Sequence, residues 1–145
     1  MFSFLLSACQ QNGKHEISWA NENLTKVAHQ DLPSSKEDIS IKTEKEDYTV
    51  TDKELTIRLE NEGDTEIIYG LRFSIQKKIE GVWFDYPLKN PLFTDEGHYL
   101  IPHKVESQTI SLNNDLTVYE LTTGEYRIVK TFSDSYIAAP FEIIE

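Results

Sequence analysis

Residues with side chains that could hold a metal ion cluster in one stretch of the sequence, where His98 and His103 lie near Asp95 and Glu96. Imidazole and carboxylate groups are common zinc ligands, but this spacing fits no established metal-binding motif. Serines are plentiful, yet none stands in the Gly-x-Ser-x-Gly context of a nucleophile, and the scattered glycines form no phosphate-binding loop. We therefore expect solvated loop histidines, no metal, no cofactor and no catalytic residue, and we expect that the protein is not an enzyme.

The single cysteine, Cys9, stands near the start of the sequence and excludes an intrachain disulfide. The segment Leu6-Ser7-Ala8-Cys9 follows an apolar run and resembles the lipobox of bacterial lipoproteins. In that class the signal peptide is cut before the cysteine, whose thiol receives a diacylglycerol carrying chains such as palmitate. The apolar run is short and no basic residue precedes it, as in a truncated signal peptide. The resemblance implies a signal peptide remnant at residues 1–8 and a lipid-anchored polar linker at residues 9–38.

The same resemblance implies an extracytoplasmic protein on the outer face of the cytoplasmic membrane of a Gram-positive bacterium. The formal net charge of −11 argues against nucleic acid and anionic lipid headgroups as direct partners, because both repel an acidic domain. No stretch reaches the ~18 apolar residues that a membrane-spanning helix needs. We expect attachment to the membrane through lipidated Cys9, with an envelope protein or a cell-wall component as a candidate partner.

From residue 39 onward the hydrophobic pattern has a period of two, which is typical of strands with one buried face. The longest predicted strand runs from Tyr69 to Ile79 and turns at Glu80-Gly81 into a strand that contains Trp83. The last predicted strand places four apolar residues on one face: Ile137, Ala139, Phe141 and Ile143. Pro140 falls on the other face, which predicts an edge or irregular strand because proline lacks the N–H of a ladder bond.

About seven such strands, separated by turn residues at intervals of roughly 8–12 residues, predict an all-β antiparallel sandwich spanning residues 39–145. Tyr126 follows Gly124 at the start of a β-rich run, as in the tyrosine corner of immunoglobulin-type sandwiches. In that corner the phenol hydroxyl bonds to backbone a few residues upstream and fixes the entry into a central strand. We expect the next residue, Arg127, to face solvent.

The segment from about residue 39 to residue 143 resembles the bacterial immunoglobulin-like domains of small lipoproteins from Gram-positive bacilli. The matching features are Leu55-x-Ile57-x-Leu59-x-Asn61, Tyr69-Gly70 with Phe73 and Ile75, Gly81-x-Trp83, Gly124-x-Tyr126-Arg127 and Phe141-x-Ile143. Ile128 stands where antibody domains carry a disulfide cysteine, so apolar packing would replace that bridge. The resemblance implies a fold and a location, but no biochemical role, because one fold serves many functions.

An aromatic group around the second predicted hairpin is the candidate binding surface, and it comprises Trp83, Phe84, Tyr86, Phe93 and Tyr99. Strand alternation places Trp83 and Phe84 on opposite faces, so one of the two could be exposed. Exposed aromatic residues with a polar rim are typical of interaction hot spots. The alternative, which we favour, is that Trp83 packs in the core, since large aromatic residues are mostly buried.

These features predict a cell-surface lipoprotein whose immunoglobulin-like domain is a non-catalytic binding or structural module of the cell envelope. One alternative is a proteinase inhibitor-like β-domain, similar to the intracellular proteinase inhibitors of bacilli, with the Pro87–Pro91 loop facing the protease. Another alternative is an accessory domain that senses an envelope ligand. The sequence leaves these alternatives open.

Overall fold

The structure, a computed structural model, describes residues 23–89, 93, 96–132 and 134–145. Cys9, the predicted signal peptide and residues 10–22 of the predicted linker lie outside the described residues. In the described part of the chain, no helix has the length and apolar character needed to cross a membrane. The described residues form twelve strands, which are β1 (Thr25–Lys26), β2 (Ser35–Lys36), β3 (Ile39–Thr43), β4 (Asp47–Thr49), β5 (Glu54–Asn61), β6 (Ile67–Tyr69), β7 (Ser74–Ile79), β8 (Val82–Asp85), β9 (His98–Leu100), β10 (Val105–Ser111), β11 (Gly124–Phe132) and β12 (Ser135–Ile144).

The strands form two packed sheets and a short two-stranded ribbon. The larger sheet has the order β1-β8-β7-β11-β12-β4, the smaller sheet has the order β10-β5-β3-β2, and β6 pairs with β9 in the ribbon. All pairings are antiparallel except that of β12 with β4, which is parallel. The predicted hairpin at Glu80-Gly81 is confirmed: both residues have positive φ, and they link Ile79 to its partner Val82. Two such residues in a two-residue loop match the twist of the paired strands.

The core lies between the two sheets and follows the predicted alternation. In β5 the side chains of Leu55, Ile57 and Leu59 are fully buried, whereas Arg58 and Glu60 are exposed. In β12 the four apolar residues that were predicted to share one face are all buried: Ile137, Ala139, Phe141 and Ile143. Burial of such side chains stabilises the fold by about 1.5–3 kcal/mol each. The fold class predicted from the sequence, an antiparallel β-sandwich, is thus confirmed.

The prediction of one long strand from Tyr69 to Ile79 is wrong, because the chain leaves the ribbon after β6 and enters the larger sheet only at β7. The break leaves the carbonyls of Gly70 and Leu71 without ladder partners. The Lys130 ammonium donates a hydrogen bond of 2.6 Å to Gly70 O, and Gln108 Nε2 donates one of 2.9 Å to Leu71 O. Lys130 Nζ also donates to Gln108 Oε1 at 2.9 Å. The side chains of buried Lys130 and half-buried Gln108 therefore satisfy the backbone where the chain changes sheets.

Residues 23–38, which were predicted to belong to a polar linker, lie against the domain and extend both sheets. Thr25 and Lys26 pair with Asp85 and Phe84 at the edge of the larger sheet. Ser35 and Lys36 pair with β3 at the edge of the smaller sheet. Polar composition gave no sign of this order, because an edge strand of two residues buries few side chains and needs only backbone partners. The N-terminal segment is thus joined to the edge of each sheet by backbone pairing.

Pro140 lies on the exposed face of β12 opposite Arg127, as the alternation predicted. The backbone N–H groups of its neighbours Ala138 and Glu142 donate to Pro33 O and Glu46 O, on the side of β12 away from β11. Pro140 falls between these two bonds, where β12 has no continuous partner strand. The missing N–H of proline therefore breaks no bond between β11 and β12.

Candidate functional site

Tyr126 forms the predicted tyrosine corner at the start of β11. Its hydroxyl donates to Thr122 O at 2.7 Å and accepts a bond of 3.1 Å from Thr122 N. The ring is fully buried, stacks on Phe141 and meets the edge of Tyr86. Burial raises the pKa of the Tyr126 hydroxyl well above its usual value, so the group remains a proton donor. The corner fixes the course of residues 122–126 and shapes the surface beside them.

Arg127, predicted to face solvent, is instead 3% exposed. It lies on the outer face of the larger sheet, where the chain segment 27–31 covers it. The guanidinium donates three hydrogen bonds, to Gln76 Oε1 at 2.7 Å and to Gln30 O and His29 O at 2.8 Å each. Burial lowers the pKa of this guanidinium, and the nearby Asp31 opposes the shift. The bonds leave little of the guanidinium free to bind an anion, so its role is to hold the N-terminal segment in place.

Trp83 completes this arrangement, which we call the strap latch and define by residues 27–31, Trp83 and Arg127. Arg127 Cζ lies 4.3 Å from the centre of the Trp83 ring, a cation–π distance. The Trp83 backbone exchanges bonds with the segment, since Gln30 accepts from Trp83 N and donates to Trp83 O, and Val27 N donates to the same carbonyl. Trp83 is therefore packed under the segment on the outer face of the sheet and not between the two sheets.

The five aromatic residues of the predicted binding surface do not form one surface. Phe84 packs against the core on the face opposite Trp83, in agreement with strand alternation. Tyr86 is buried, and its hydroxyl donates a short hydrogen bond to Glu120 O. Phe93 packs edge-on against Phe73. Tyr99 alone of the five is largely exposed. The prediction failed for Tyr86 because the residue follows β8 and turns inward beneath the segment that leads to the tyrosine corner.

The histidine residues considered as metal ligands make separate contacts. His103 Nε2 lies 3.2 Å from Asp64 Oδ1 in an exposed pair. His98 instead lies against the ring of Tyr69, with 5.5 Å between the ring centres, and its Nε2 is buried without a hydrogen-bond partner among the described residues. Asp95 lies outside the described residues, as does the 90–92 segment of the Pro87–Pro91 loop. Within the described ranges no group of three or more potential ligands could hold a metal ion.

An exposed apolar surface lies on the β6–β9 ribbon. Ile68 and Tyr99 stand directly opposite each other and are 61% and 60% exposed. Ile101, just after β9, is 45% exposed. We call these three residues the ribbon patch. Beneath it Leu100 is fully buried, and its carbonyl accepts a hydrogen bond of 3.0 Å from the buried Asn61 side chain, which joins the ribbon to the core.

Two clefts lie near these features. One, of about 780 Å³, borders the ribbon patch at Ile68 and is lined by Phe73, Leu88 and Phe93. The other, of about 800 Å³, lies beside the tyrosine corner and is lined in part by Lys77, Tyr86 and Thr122. Both volumes fall in the range of small-molecule sites in proteins. The sequence pattern missed both clefts, because each is lined by segments far apart in the chain.

The two packed sheets and the tyrosine corner at the entry to a central strand define an immunoglobulin-like domain. Residues 35–142 match the family of bacterial Ig-like domains, and the protein belongs to that family. The match confirms the predicted resemblance to bacterial immunoglobulin-like domains. Such a domain supports a structural or binding role, which is the coarse function expected from the sequence. No curated protein sequence matches the chain significantly.

Among solved structures, the chain is similar to parts of much larger enzymes. It matches the β-glucosidase EmGH1 from Erythrobacter marinus at 14% identity and a TM-score of 0.41, over 72% of this chain and 15% of that one. It matches a Listeria innocua β-glucosidase in complex with gluconolactone at 14% identity and a TM-score of 0.37, over 74% of this chain and 16% of that one. It matches a Kluyveromyces marxianus β-glucosidase in complex with glucose at 15% identity and a TM-score of 0.35, over 74% of this chain and 14% of that one. The chain thus spans 14–16% of the length of these three enzymes.

Proposed function

We propose that this protein is a lipid-anchored module of the bacterial cell envelope, whose immunoglobulin-like domain binds a protein partner and catalyses no reaction. Membership of the bacterial Ig-like family supports a binding or structural role. The Leu6–Cys9 motif supports the anchor and the extracytoplasmic location. The absence of a nucleophile motif from the sequence agrees with a non-catalytic role.

The observation that carries the binding role is the ribbon patch. Single exposed apolar residues are common on protein surfaces, but a directly opposed pair with a third apolar residue nearby is less so. Ile68, Tyr99 and Ile101 keep large apolar areas in water, which costs free energy unless another surface covers them. Because Leu100 and Asn61 already fix the ribbon to the core, the ribbon itself loses little conformational entropy when a partner binds. Tyrosine at such a position can supply both apolar area and a hydroxyl to the partner.

The binding role is tested by crosslinking the anchored protein in cells and comparing its partners with those of a double variant, Ile68→Ser with Tyr99→Ser. The matched control is Val50→Ser with Tyr136→Ser, which removes similarly exposed apolar residues from elsewhere on the domain. We expect a specific partner that is lost with the ribbon variant and kept with the control. Thermal unfolding of both variants checks that they fold. Loss of the partner from both variants, or from neither, would contradict the assignment to the ribbon patch.

The lipid anchor has an independent test. Cells that express the protein with its native N-terminus are grown with labelled palmitate, beside cells that express Cys9→Ser. We expect label in the native protein and none in the variant, because only the thiol accepts the diacylglycerol. Equal labelling of the two proteins would rule out an anchor at Cys9.

A further inference from the structure

The cleft beside the tyrosine corner, which we call the corner cleft, combines apolar walls with a half-buried cation. Three segments form it: the β7–β8 hairpin, the connection of residues 118–124, and the start of the described chain at residues 23–24. Five of the lining residues are apolar or aromatic: Leu24, Ile79, Tyr86, Val118 and Tyr119. A volume of about 800 Å³ is enough to hold a ligand the size of a short peptide segment.

Lys77 is the charged group of the corner cleft. Its ammonium donates a hydrogen bond of 2.6 Å to Thr122 Oγ1 and lies 5.1 Å and 5.8 Å from the ring centres of Tyr126 and Tyr86. Gly124 makes room for this side chain, since a Cβ there would lie 3.0 Å from Lys77 Cε. Burial lowers the pKa of the Lys77 ammonium. None of the ion pairs between described residues involves Lys77.

A half-buried cation without an anionic partner favours a ligand that brings one. The number of cations limits the charge of that ligand. Lys78 also lines the cleft, but its ammonium lies 5.8 Å from the Trp83 ring, and the exposed acids Glu80 and Glu120 stand in the same lining. Lys77 and the neutral Thr122 and Thr123 suit a ligand that carries a single negative charge. Glu80 and Glu120 would repel a phosphate dianion more strongly. A carboxylate fits this electrostatic environment.

We propose that the corner cleft binds the C-terminal carboxylate of an apolar peptide, with Lys77 as the charge partner and the Leu24–Ile79–Tyr119 walls as the contact for the apolar side chains. The Thr122 hydroxyl, which accepts from Lys77, can donate its own proton to the carboxylate. The site is separate from the ribbon patch, so it adds a second binding activity that does not depend on the lipid anchor or on the protein partner proposed above.

The test uses the full chain labelled with ¹⁵N and titrated with N-acetyl-Leu-Leu as the free acid and, separately, as the C-terminal amide. We expect the acid to shift the Thr122, Thr123 and Gly124 amide signals and to bind roughly tenfold or more tightly than the amide, as expected for a charge-assisted hydrogen bond. Lys77→Met should remove the preference for the acid. Lys77→Arg should retain part of it. The control Lys42→Met, which removes an exposed lysine of β3 outside the cleft, should retain all of it.

The comparison of acid with amide on the native protein needs no variant, so the proposal stays testable even if Lys77→Met fails to fold. Equal affinity for the acid and the amide would overturn the proposal. So would the absence of any shift up to about 10 mM peptide, where even millimolar affinity would be visible. A preference for the acid that survives in a folded Lys77→Met protein would also exclude Lys77 as the charge partner. None of these results bears on the ribbon patch, which is tested by crosslinking.

Discussion

At the scale of single residues, the hydroxyl of Tyr126 holds the chain at the entrance to β11. It bonds both the N–H and the carbonyl of Thr122, four residues upstream. We expect Tyr126→Phe to lower the free energy of unfolding by about 1 kcal/mol, because Thr122 is exposed and water can replace part of what is lost. Urea unfolding measures the change. Tyr136→Phe, which alters an exposed ring, is the control and should be neutral; a neutral Tyr126→Phe would show that the corner bond adds nothing to stability.

Lys130 is a charged residue at a core position, and the free-energy cost of burying its ammonium depends on pH. The side chain is 1% exposed, and burial lowers the pKa of its ammonium to about 8, from 10.5 in the unfolded chain. Below pH 8 both states carry the charge, and the folded state bears the full cost of burying it. Between pH 8 and 10.5 the folded state releases its proton first, so this cost fades and stability rises with pH.

We therefore expect the native protein to gain stability relative to Lys130→Met as the pH rises from 7 to 10, by about 2 kcal/mol. The methionine variant keeps the length of the side chain but has no titrating group, so the difference between the two proteins isolates Lys130 from the tyrosines that ionise near pH 10. Urea unfolding at several pH values measures it. A difference that is constant with pH would show that Lys130 has the same pKa in both states.

At the scale of secondary-structure elements, the strap latch joins the N-terminal segment to β8. Gln30 is central to it, since its side-chain amide bonds Val27 O and both backbone groups of Trp83. We expect Gln30→Ala to speed amide hydrogen exchange at Val27 and Trp83 by about tenfold or more. In the variant, local opening of the segment breaks fewer hydrogen bonds and therefore needs less free energy.

The amides of β11 and β12 should exchange at the native rate in the same Gln30→Ala protein, since the centre of the larger sheet does not depend on the strap. Thr25→Ala, an exposed change in β1, is the matched control and should leave all of these rates unchanged. Faster exchange throughout the sheet would mean that Gln30 contributes to global stability, and unchanged exchange at Val27 would mean that its bonds do not hold the segment.

The elements show how far sequence reasoning reaches in this protein. Period-two alternation predicted the inward faces of β5 and β12, and turn residues predicted the β7–β8 hairpin, because these features depend on neighbours in sequence. The strap latch and the change of sheet after β6 depend on distant residues: Arg127 bonds Gln30, and Lys130 bonds Gly70. One hint was present in the sequence, since Lys130 occupies an inward position in a strand whose other inward residues are apolar or aromatic.

The candidate binding surface was predicted from aromatic composition, and composition could identify Tyr99 as a candidate but could not separate it from Tyr86. Tyr86 directly follows β8 and Tyr99 lies in β9, yet Tyr99 is 60% exposed and Tyr86 is buried. The difference arises from what packs against them. The chain leading to the tyrosine corner covers Tyr86, whereas Tyr99 lies on a two-stranded ribbon with no sheet over it. Exposure of an aromatic residue is thus a property of the tertiary packing and not of its strand.

At the scale of the whole molecule, the two proposed sites lie at the two ends of β11. The corner cleft is lined by Gly124 at its start, and the ribbon is joined to its end through Lys130 and through Tyr69, which contacts Phe132. Six residues of extended strand separate Gly124 from Lys130, a distance of about 20 Å. Sites so far apart without shared residues should behave independently. A domain built in this way could hold the proposed protein partner and the proposed peptide end at the same time.

The boundary of the folded unit gives the last prediction. If residues 23–38 belong to the domain, a variant that begins at residue 39 loses the buried Leu24, β1, β2 and the strap latch, and it leaves the Arg127 guanidinium with fewer partners. Loss of the buried Leu24 and of the hydrogen bonds to the Arg127 guanidinium should together lower the free energy of unfolding. We expect a decrease of about 3 kcal/mol or more relative to a variant that begins at residue 23. Urea unfolding of the two variants gives the difference. Equal stability would place the start of the domain at residue 39, as the hydrophobic pattern alone predicts, and would make the strap a dispensable cover on the larger sheet.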